Sequence, residues 1–421
     1  MARTHVIGAG MAGLGAAVAL VQAGRAVTLW EAAPRAGGRC RSHHDAKLGC
    51  VIDNGNHLVL SGNGAVADYL ATIGAADRLV GPAEACVPFV DIRSGRRWAV
   101  RPNRGRLPWW LFSAGRRPPG FGWADVAASL RVLRAGPGAT LGELLPAGPT
   151  RAGFWEPLVL AVMNAPLAEA AARPMAAVLR ETFGRGGAAC RPLVARTSLA
   201  DTFVDPAISW LSARGAEVHF GRRIQGLERD GDGAVSALRL DGGEAVALDP
   251  GDSAILAVPP WIARTLLPDC PVPEGDSAIV NVHFRLDGAV PEPVPGVPLV
   301  GLVGAIAHWV FLRGDIASVT ISAADDLADT AAEAIIATVW PEVAAALGLD
   351  ATADVPPARV VKERRATFRQ TPANQALRPP AERYGRRLLL AGDWTDTGLP
   401  ATIEGSLRSG RRAAALALQN G

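Results

Sequence analysis

The sequence predicts an α/β fold, in which a Rossmann-like domain binds a nucleotide cofactor and a second domain of mixed α+β structure is inserted into it. Two signatures at opposite ends of the 421-residue chain predict the first domain. Residues 5–13 read H-V-I-G-A-G-M-A-G, and residues 390–405 contain Gly392-Asp393 followed by the start of a helix at Pro400. Because both signatures suit nucleotide binding, we expect one long cofactor that contacts both ends of the chain.

The N-terminal signature lies in a predicted strand, helix and strand. Residues 4–7 form a short apolar strand, and an Ala-, Val- and Leu-rich helix is predicted over 11–23. A second strand follows over 26–30, and Glu31 stands at its end, 23 residues after Gly8. At that position an acidic side chain can accept hydrogen bonds from ribose hydroxyls. This register indicates a nucleotide site rather than an isolated glycine turn.

The glycines of the G-x-G-x-x-G signature have separate roles. Gly8 permits the tight turn, Gly10 lets the backbone approach a pyrophosphate, and Gly13 lets helix and strand pack closely. Met11 and Ala12 begin the helix, whose unpaired N–H groups attract phosphates. The pyrophosphate is therefore expected at this helix N-terminus.

The segments that follow favour FAD over NAD. Residues 35–42 read R-A-G-G-R-C-R-S, and a second glycine pair with flanking arginines suits a loop along the pyrophosphate and the flavin. At the other end, Gly392 allows a close approach and the Asp393 carboxylate can accept from ribityl hydroxyls. Residues 400–403 start a helix whose positive end would face the flavin ring and stabilise negative charge on it.

Composition places the chain among globular proteins. Hydrophobic residues make up 49% and the formal net charge is +3, so we expect neither disorder nor a nucleic-acid partner. The five cysteines show no metal-ligand spacing, which predicts reduced thiols, no metal and a cytoplasmic protein. We expect no signal peptide, because the first strand begins at once. The apolar run 298–312 is shorter than the ~20 residues of a membrane span and is interpreted as buried strands.

The middle of the chain predicts further strands and the domain organisation. The predicted strands are separated by Asp-Gly turns or stopped by prolines, and they cover 215–220, 223–227, 234–240, 245–248 and 253–258. These strands would complete the nucleotide domain. We therefore expect a discontinuous cofactor domain over 1–71, 196–269 and 366–421, and a substrate domain over 72–195 and 270–365.

Several motifs together carry a family resemblance. They are V-I-G-A-G-M-A-G-L at 6–14, G-G-R-C-R-S at 37–42, D-N-G-N-H at 53–57, A-I-L-A-V-P-P-W at 254–261 and A-G-D-W-T-D-T-G-L-P-A-T-I-E-G at 391–405. In these motifs the chain resembles the flavin-dependent amine oxidase and phytoene desaturase superfamily. Within it, the chain looks most like the bacterial hydroxysqualene dehydroxylases. The similarity runs nearly end to end, with specific motifs at both ends and a loose match between them.

The resemblance implies the FAD-binding fold of glutathione reductase and the amine oxidases. It also implies that reduced FAD converts the allylic alcohol hydroxysqualene to squalene in hopanoid biosynthesis, with other enzymes of the squalene pathway as partners. The residues expected to bind FAD come from the motifs at both ends of the chain and from two positions between them. They are Gly8, Gly10, Met11, Ala12, Gly13, Glu31, Ala32, Gly37, Gly38, Arg39, Asn54, Gly55, Asn56, Ile224, Val258, Gly392, Asp393, Trp394, Pro400, Ala401, Thr402 and Ile403.

Two departures separate the chain from amine oxidases. Those enzymes typically carry a lysine in the strand after the proline-stopped segment, whereas residues 277–282 read S-A-I-V-N-V. They also place an aromatic residue beside the flavin in the C-terminal motif, whereas P-A-T-I precedes Glu404 here. Carotenoid desaturases, which share an apolar substrate and hydride chemistry, are the nearer alternative. A flavin-binding partner of a squalene-forming complex, without turnover of its own, is a third.

Dehydroxylation requires an acid, because hydroxide is a poor leaving group and its oxygen must be protonated as it departs. The candidates are Asp53, His57, Asp396 and Glu404. Each also has a structural interpretation: Asp53 can bond the backbone in a turn, His57 can be a core histidine, and Glu404 can cap or brace a helix.

Residues 104–123 predict contact with a membrane surface. They interleave arginines with large apolar rings, including Trp109 and Trp110, and such a stretch can enter the headgroup layer while its arginines meet lipid phosphates. The alternative is that these tryptophans pack inside the substrate domain. If the first interpretation holds, the protein is peripheral to the inner face of the membrane.

Overall fold

The computed structural model describes residues 2–352, 354–380 and 384–419. In chain order the strands are β1 (Arg3–Ile7), β2 (Ala26–Glu31), β3 (Ser42–Asp45), β4 (Cys50–Asp53), β5 (Val59–Leu60), β6 (Leu79–Val80), β7 (Val87–Asp91), β8 (Arg97–Val100), β9 (Pro192–Ala195), β10 (Glu217–Phe220), β11 (Ile224–Arg229), β12 (Val235–Leu240), β13 (Ala245–Ala247), β14 (Ser253–Leu256), β15 (Asp276–Arg285), β16 (Leu299–Val303), β17 (Trp309–Arg313), β18 (Ile316–Ile321), β19 (Ala358–Phe368) and β20 (Leu388–Leu390). The α-helices are α1 (Met11–Gln22), α2 (Gly64–Thr72), α3 (Trp123–Leu133), α4 (Leu141–Leu144), α5 (Glu156–Met163), α6 (Ala172–Glu181), α7 (Asp205–Ser212), α8 (Pro260–Leu266), α9 (Ala332–Leu347), α10 (Pro372–Ala376) and α11 (Ile403–Leu418).

A five-stranded parallel sheet brings the two ends of the chain together. Its order is β10-β2-β1-β14-β20, so the first strand is separated from the last by β14 alone. Ile7 pairs with Trp30 on one side and Leu256 on the other, and Leu256 in turn pairs with Leu390. Since parallel strands end at the same edge, the segments after β1, β2, β14 and β20 meet there, which is where α/β folds bind ligands. The predicted α/β fold is confirmed.

Helices α1 and α11 pack on this sheet through small residues. A Cβ at Gly410 would lie 2.1 Å from the Ala12 carbonyl oxygen, and one at Gly15 would lie 2.9 Å from the Leu407 side chain. The two helices therefore touch backbone to side chain. This close contact places the N-termini of both helices at the same edge of the sheet.

A second, seven-stranded sheet has the order β19-β15-β18-β17-β16-β7-β8 and is mostly antiparallel. Alternate side chains of its strands enter two different cores: Leu299 packs with residues of α5 and α6, and Val300 packs with residues of α9. Its strands lie between 87 and 100 and between 276 and 368. We propose that this sheet and its helices are the substrate domain, with the boundaries predicted above.

The strands predicted between 215 and 258 form, but they join two different sheets. β10 and β14 enter the parallel sheet, whereas β11, β12 and β13 make a separate antiparallel sheet. The first helix ends at Gln22, and the apolar run 298–312 forms β16 and β17 as expected. None of the helices in the described ranges is both long enough and apolar enough to cross a membrane.

We expect Gly410→Ala to destabilise the protein by about 2 kcal/mol, because the new methyl group overlaps the Ala12 carbonyl and forces α11 away from α1. Gly64→Ala is the matched control, since its Cβ meets no atom within 4 Å at the start of α2. That variant should be neutral or slightly stabilised. Urea unfolding of both variants measures the difference, and equal stability would contradict the packing described.

Candidate active site

The first glycine signature forms an open cradle at the end of β1. Gly8 has φ +105° and donates its N–H to the Trp30 carbonyl at 2.7 Å. A Cβ at Gly13 would lie 1.8 Å from the Gly8 oxygen, whereas one at Gly10 would meet nothing within 4 Å. No side chain caps the N-terminus of α1. The turn thus leaves backbone space and an uncapped helix end, which fit a pyrophosphate.

The second glycine loop lies directly against the first. Gly37 donates its N–H to the Ala9 carbonyl at 2.8 Å, and a Cβ at Gly38 would come within 3.3 Å of the Gly10 Cα. Glu31 braces the same region, because its carboxylate accepts from the N–H groups of Ala9 and Ala33, both at 2.8 Å. Glu31 keeps further lone pairs for a ribose hydroxyl.

An ion pair joins this loop to the C-terminal motif. Arg39 Nη2 lies 2.7 Å from the Asp393 carboxylate, which is 6% exposed, and Arg39 Nη1 donates to the Ala366 carbonyl at 2.6 Å. The sequence predicted that residues 37–39 and Asp393 serve one cofactor, and the structure brings them into contact. It also occupies one oxygen of Asp393, so the predicted acceptance from ribityl hydroxyls falls to the other oxygen.

The prediction for Trp394 needs correction. Its indole is fully buried, and its Nε1 donates to the Val258 carbonyl at 2.8 Å. A side chain with no exposed surface has none to offer a cofactor. Trp394 instead fixes Val258 beside the C-terminal motif, where Gly392 must be glycine because a Cβ there would lie 2.4 Å from the indole nitrogen.

The other predicted cofactor residues lie around the same edge and divide by exposure. Those with exposed surface are Gly8, Gly10, Glu31, Ala32, Gly38, Arg39, Gly55, Asn56, Val258, Ala401 and Thr402. The buried ones are Met11, Ala12, Gly13, Gly37, Asn54, Ile224, Gly392, Asp393, Pro400 and Ile403. The first group can touch a ligand with side chain or backbone, whereas the second mainly shapes the surface beneath it.

Arg378, which the sequence did not single out, holds the C-terminal motif in place. Its guanidinium is buried and donates to the carbonyls of Asp393, Thr395 and Leu399 at 3.1, 2.6 and 2.7 Å. It also donates to Gln375 Oε1 at 2.8 Å. Arginine suits this position because its planar fork presents several donors at once. No sequence motif surrounds it, so only the fold reveals its role.

The helix after this motif begins as predicted. Thr402 accepts from the Gly405 N–H at 3.1 Å and so caps α11. The Ala401 N–H donates to Gln370 Oε1 at 2.9 Å, and Gln370 is itself fully buried. The start of α11 is therefore fixed by a side-chain cap and by a buried amide.

Asp53 is an ion-paired hydrogen-bond acceptor. Its Oδ1 accepts from the Ser42 hydroxyl at 2.5 Å and the Leu199 N–H at 2.9 Å, and its Oδ2 lies 2.8 Å from Arg313 Nη1. With 3% of its side chain exposed, the carboxylate has donors on both oxygens. This arrangement favours the unprotonated form, so Asp53 fits the structural interpretation better than the role of acid.

His57 differs from Asp53 because its side chain forms no hydrogen bond to a described residue. It is partly exposed and lines a small cavity with Asp53, Arg313 and Phe311. Burial lowers the pKa of His57 to about 4, although the Asp53 charge opposes that shift. The imidazole is therefore neutral at pH 7, and its protonated form is a strong acid.

Three further side chains that the sequence did not indicate hold the segment 53–57. Asn281 Nδ2 donates to the Asn54 carbonyl at 3.3 Å, and its Oδ1 accepts from the Thr320 hydroxyl at 2.9 Å. Asn56 Nδ2 donates to Thr320 at 3.0 Å, and Asn54 Nδ2 donates to Glu363 at 2.9 Å. Strands of the second sheet thus support a loop that begins in the first.

The other two acid candidates lie in structural positions. Glu404 is buried and accepts from the N–H groups of Ala65 and Val66 at 3.1 and 3.0 Å, and from Arg408 Nε at 2.8 Å. It caps α2 rather than its own helix, where its charge suits the helix N-terminus. Asp396 is exposed and accepts from the Gly398 N–H at 3.0 Å within a turn.

No group of three or more His, Cys, Asp or Glu side chains in the described part of the chain could hold a metal ion. The site therefore consists of two glycine loops, two helix N-termini, an ion pair between them and a histidine beside a small cavity. This combination defines a nucleotide-dependent oxidoreductase of the α/β class.

Comparison with known proteins narrows the class. The family model described as flavin containing amine oxidoreductase matches residues 11–418. The chain is 46% identical over 419 residues to hydroxysqualene dehydroxylase of Rhodopseudomonas palustris, covering 99% of this chain and 98% of that one. It is 24% identical to 15-cis-phytoene desaturase of Glycine max, over 99% of this chain and 79% of the desaturase.

A solved structure of a putrescine oxidase double mutant superposes with a TM-score of 0.71 at 16% identity, over 99% of each chain. This likeness shows the fold. The chain belongs to the flavin-containing amine oxidoreductase family and, within it, to the family of the hydroxysqualene dehydroxylases. It is accordingly a flavin-dependent oxidoreductase.

We expect Arg378→Met to weaken flavin binding at least tenfold, because the carbonyls of Asp393, Thr395 and Leu399 lose their shared donor and the C-terminal motif loosens. Arg386→Met is the control, since that side chain is 71% exposed. Flavin fluorescence titration of the apoproteins measures the dissociation constants. Equal affinity in both variants would remove Arg378 from its assigned role.

Proposed function

We propose that the protein catalyses the FAD-dependent reductive dehydroxylation of hydroxysqualene to squalene. The observation that carries this proposal is the full-length likeness to a protein named hydroxysqualene dehydroxylase, at 46% identity against 24% for a phytoene desaturase. The site supports it, because a flavin-binding edge and a histidine beside a cavity are what an acid-assisted hydride transfer needs.

FAD, rather than a flavin mononucleotide, fits the extent of the site. Glu31 and Ala32 stand where α/β folds bind an adenosine ribose, and the open turn at Gly10 suits a pyrophosphate. The capped start of α11 suits the other end of the cofactor, because its positive dipole end stabilises an anionic reduced flavin. A cofactor that reaches all three features must be a dinucleotide.

Reduced FAD, when bound, would supply the hydride for the new C–H bond. The protein must supply a proton, so that the C–O bond breaks with release of water: the alcohol, one hydride and one proton give the hydrocarbon and water. Among the four predicted acids, we assign the proton to His57. Its ring is partly exposed to the cavity, whereas Asp53 and Glu404 are saturated with donors and Asp396 lies in an exposed turn.

Asp53 and Arg313 position this proton donor. Their ion pair closes one side of the cavity that His57 lines, and Arg313 Nη1 also donates to the Thr197 carbonyl at 2.5 Å. The Asp53 charge partly offsets the loss of solvation of a His57 imidazolium. Asn281 and Thr320 then hold the loop that carries both residues.

A substrate of this class dissolves in membranes rather than in water. We propose that the protein works at a membrane surface, in a peripheral position, because no helix of its described ranges could span a bilayer.

The reaction is tested by photoreducing the purified holoenzyme without oxygen, adding hydroxysqualene in detergent, and following flavin reoxidation together with squalene by mass spectrometry. We expect one squalene per flavin reoxidised, because each turnover consumes one hydride. A flavin that stays reduced would contradict the proposal. If oxidised enzyme were instead reduced by squalene or phytoene, the desaturase alternative would replace it.

The role of His57 predicts a pH dependence. With a pKa of about 4, the protonated fraction falls about tenfold for each pH unit between 5 and 8, so the single-turnover rate should fall in parallel. His57→Gln should abolish this slope and lower the rate at pH 6 at least a hundredfold, with flavin affinity unchanged. An identical pH profile in wild type and variant would assign the proton to another group.

A further inference from the structure

Four large apolar side chains form an exposed surface on one segment of the substrate layer, which we call the aromatic surface. Leu107, Trp109, Phe112 and Trp123 are 64, 65, 65 and 77% exposed. Ring centroids of Trp109 and Phe112 lie 6.1 Å apart, and those of Phe112 and Trp123 lie 6.2 Å apart. The rings are therefore contiguous, and contiguous exposed apolar groups mark interaction sites.

This exposure is held in place by the residues beneath. Trp110 is buried and stacks on Phe183 at 5.9 Å, while Trp109, its neighbour in sequence, faces outwards. Asn103 accepts from the Trp110 N–H at 3.1 Å and donates to the Leu107 carbonyl at 2.9 Å. The two interpretations of this tryptophan pair thus each hold for one member: Trp110 packs inside and Trp109 does not.

The surface is flanked by positive charge. Residues 92–124 contain eight arginines and no Asp, Glu or Lys, although the net charge of the whole chain is +3. Five of these arginines belong to the segment that carries the rings. They are Arg101, Arg104, Arg106, Arg116 and Arg117. None of the five forms an ion pair with any residue in the described ranges, so their charges are available to an external partner.

We propose that the aromatic surface docks on an anionic lipid bilayer, with its rings at the boundary between headgroups and acyl chains and its arginines on lipid phosphates. Aromatic rings prefer this boundary, and arginine carries a polar head on an apolar stem that reaches phosphates from it. The proposal rests on the proposed function in one respect, since a polyprenyl substrate would reach the enzyme from the bilayer.

Charge decides between a bilayer and a second copy of the chain. A symmetric dimer through the aromatic surface would place the same five unpaired arginines of both copies close together, and like charges repel. An anionic bilayer offers phosphates to all five at once. The flanking charge therefore selects lipid as the partner.

Sedimentation with vesicles tests the proposal on the full-length holoenzyme. We expect pelleting with phosphatidylglycerol-containing vesicles and at least tenfold less with pure phosphatidylcholine or at high salt, because surface electrostatics are screened. The combined variant Trp109→Ala, Phe112→Ala and Trp123→Ala should lose at least tenfold in vesicle affinity. Phe220→Ala is the matched control, since Phe220 is an exposed aromatic ring outside this segment.

The charge reversals Arg104→Glu and Arg106→Glu should abolish binding to the anionic vesicles. All variants should keep the wild-type melting temperature and should turn over hydroxysqualene supplied in detergent. Wild-type protein that stays in the supernatant, or a triple variant that pellets equally, would overturn the docking proposal. So would a dimer that the triple variant abolishes. Failure of wild-type turnover in detergent would instead count against the proposed function alone.

Discussion

The contact between α1 and α11 is the constraint on which the site depends. Gly410 and Gly15 let the last helix lie on the first with almost no space between backbone and side chain. Both helices begin at the edge where β1, β2, β14 and β20 end. Two helix N-termini, each with a positive dipole end, therefore converge on one place. An anionic cofactor that is long enough to meet both is the ligand that this arrangement suits.

Buried charge then fixes the details of the edge. Arg378 replaces its lost hydration with backbone carbonyls, Asp393 with Arg39, and Glu404 with the N-terminus of α2 and Arg408. Burying an ion is costly unless each lone pair or proton finds a partner, and here the partners come from segments far apart in sequence. The loops of the site are held by this network rather than by packing of apolar side chains.

The sequence predicted those parts of the site that depend on local spacing. The glycines at 8, 10 and 13 specify their own turn, and Pro400 to Thr402 specify a helix start, so their places could be predicted from neighbours alone. Arg378, Asn281 and Thr320 could not, because each acts on a loop distant in sequence and has no motif around it. Glu404 shows the same limit, since the helix it caps begins 340 residues earlier at Gly64.

The ion pair between Arg39 and Asp393 joins residues that are 354 positions apart. During synthesis, the ribosome therefore releases the first glycine loops long before their partner exists. A chain that emerges in this order cannot close around its cofactor until the final strand and helix have left the exit tunnel, since long-range contacts form late. The nascent protein is thus without flavin, and cofactor capture is the step that completes its folding.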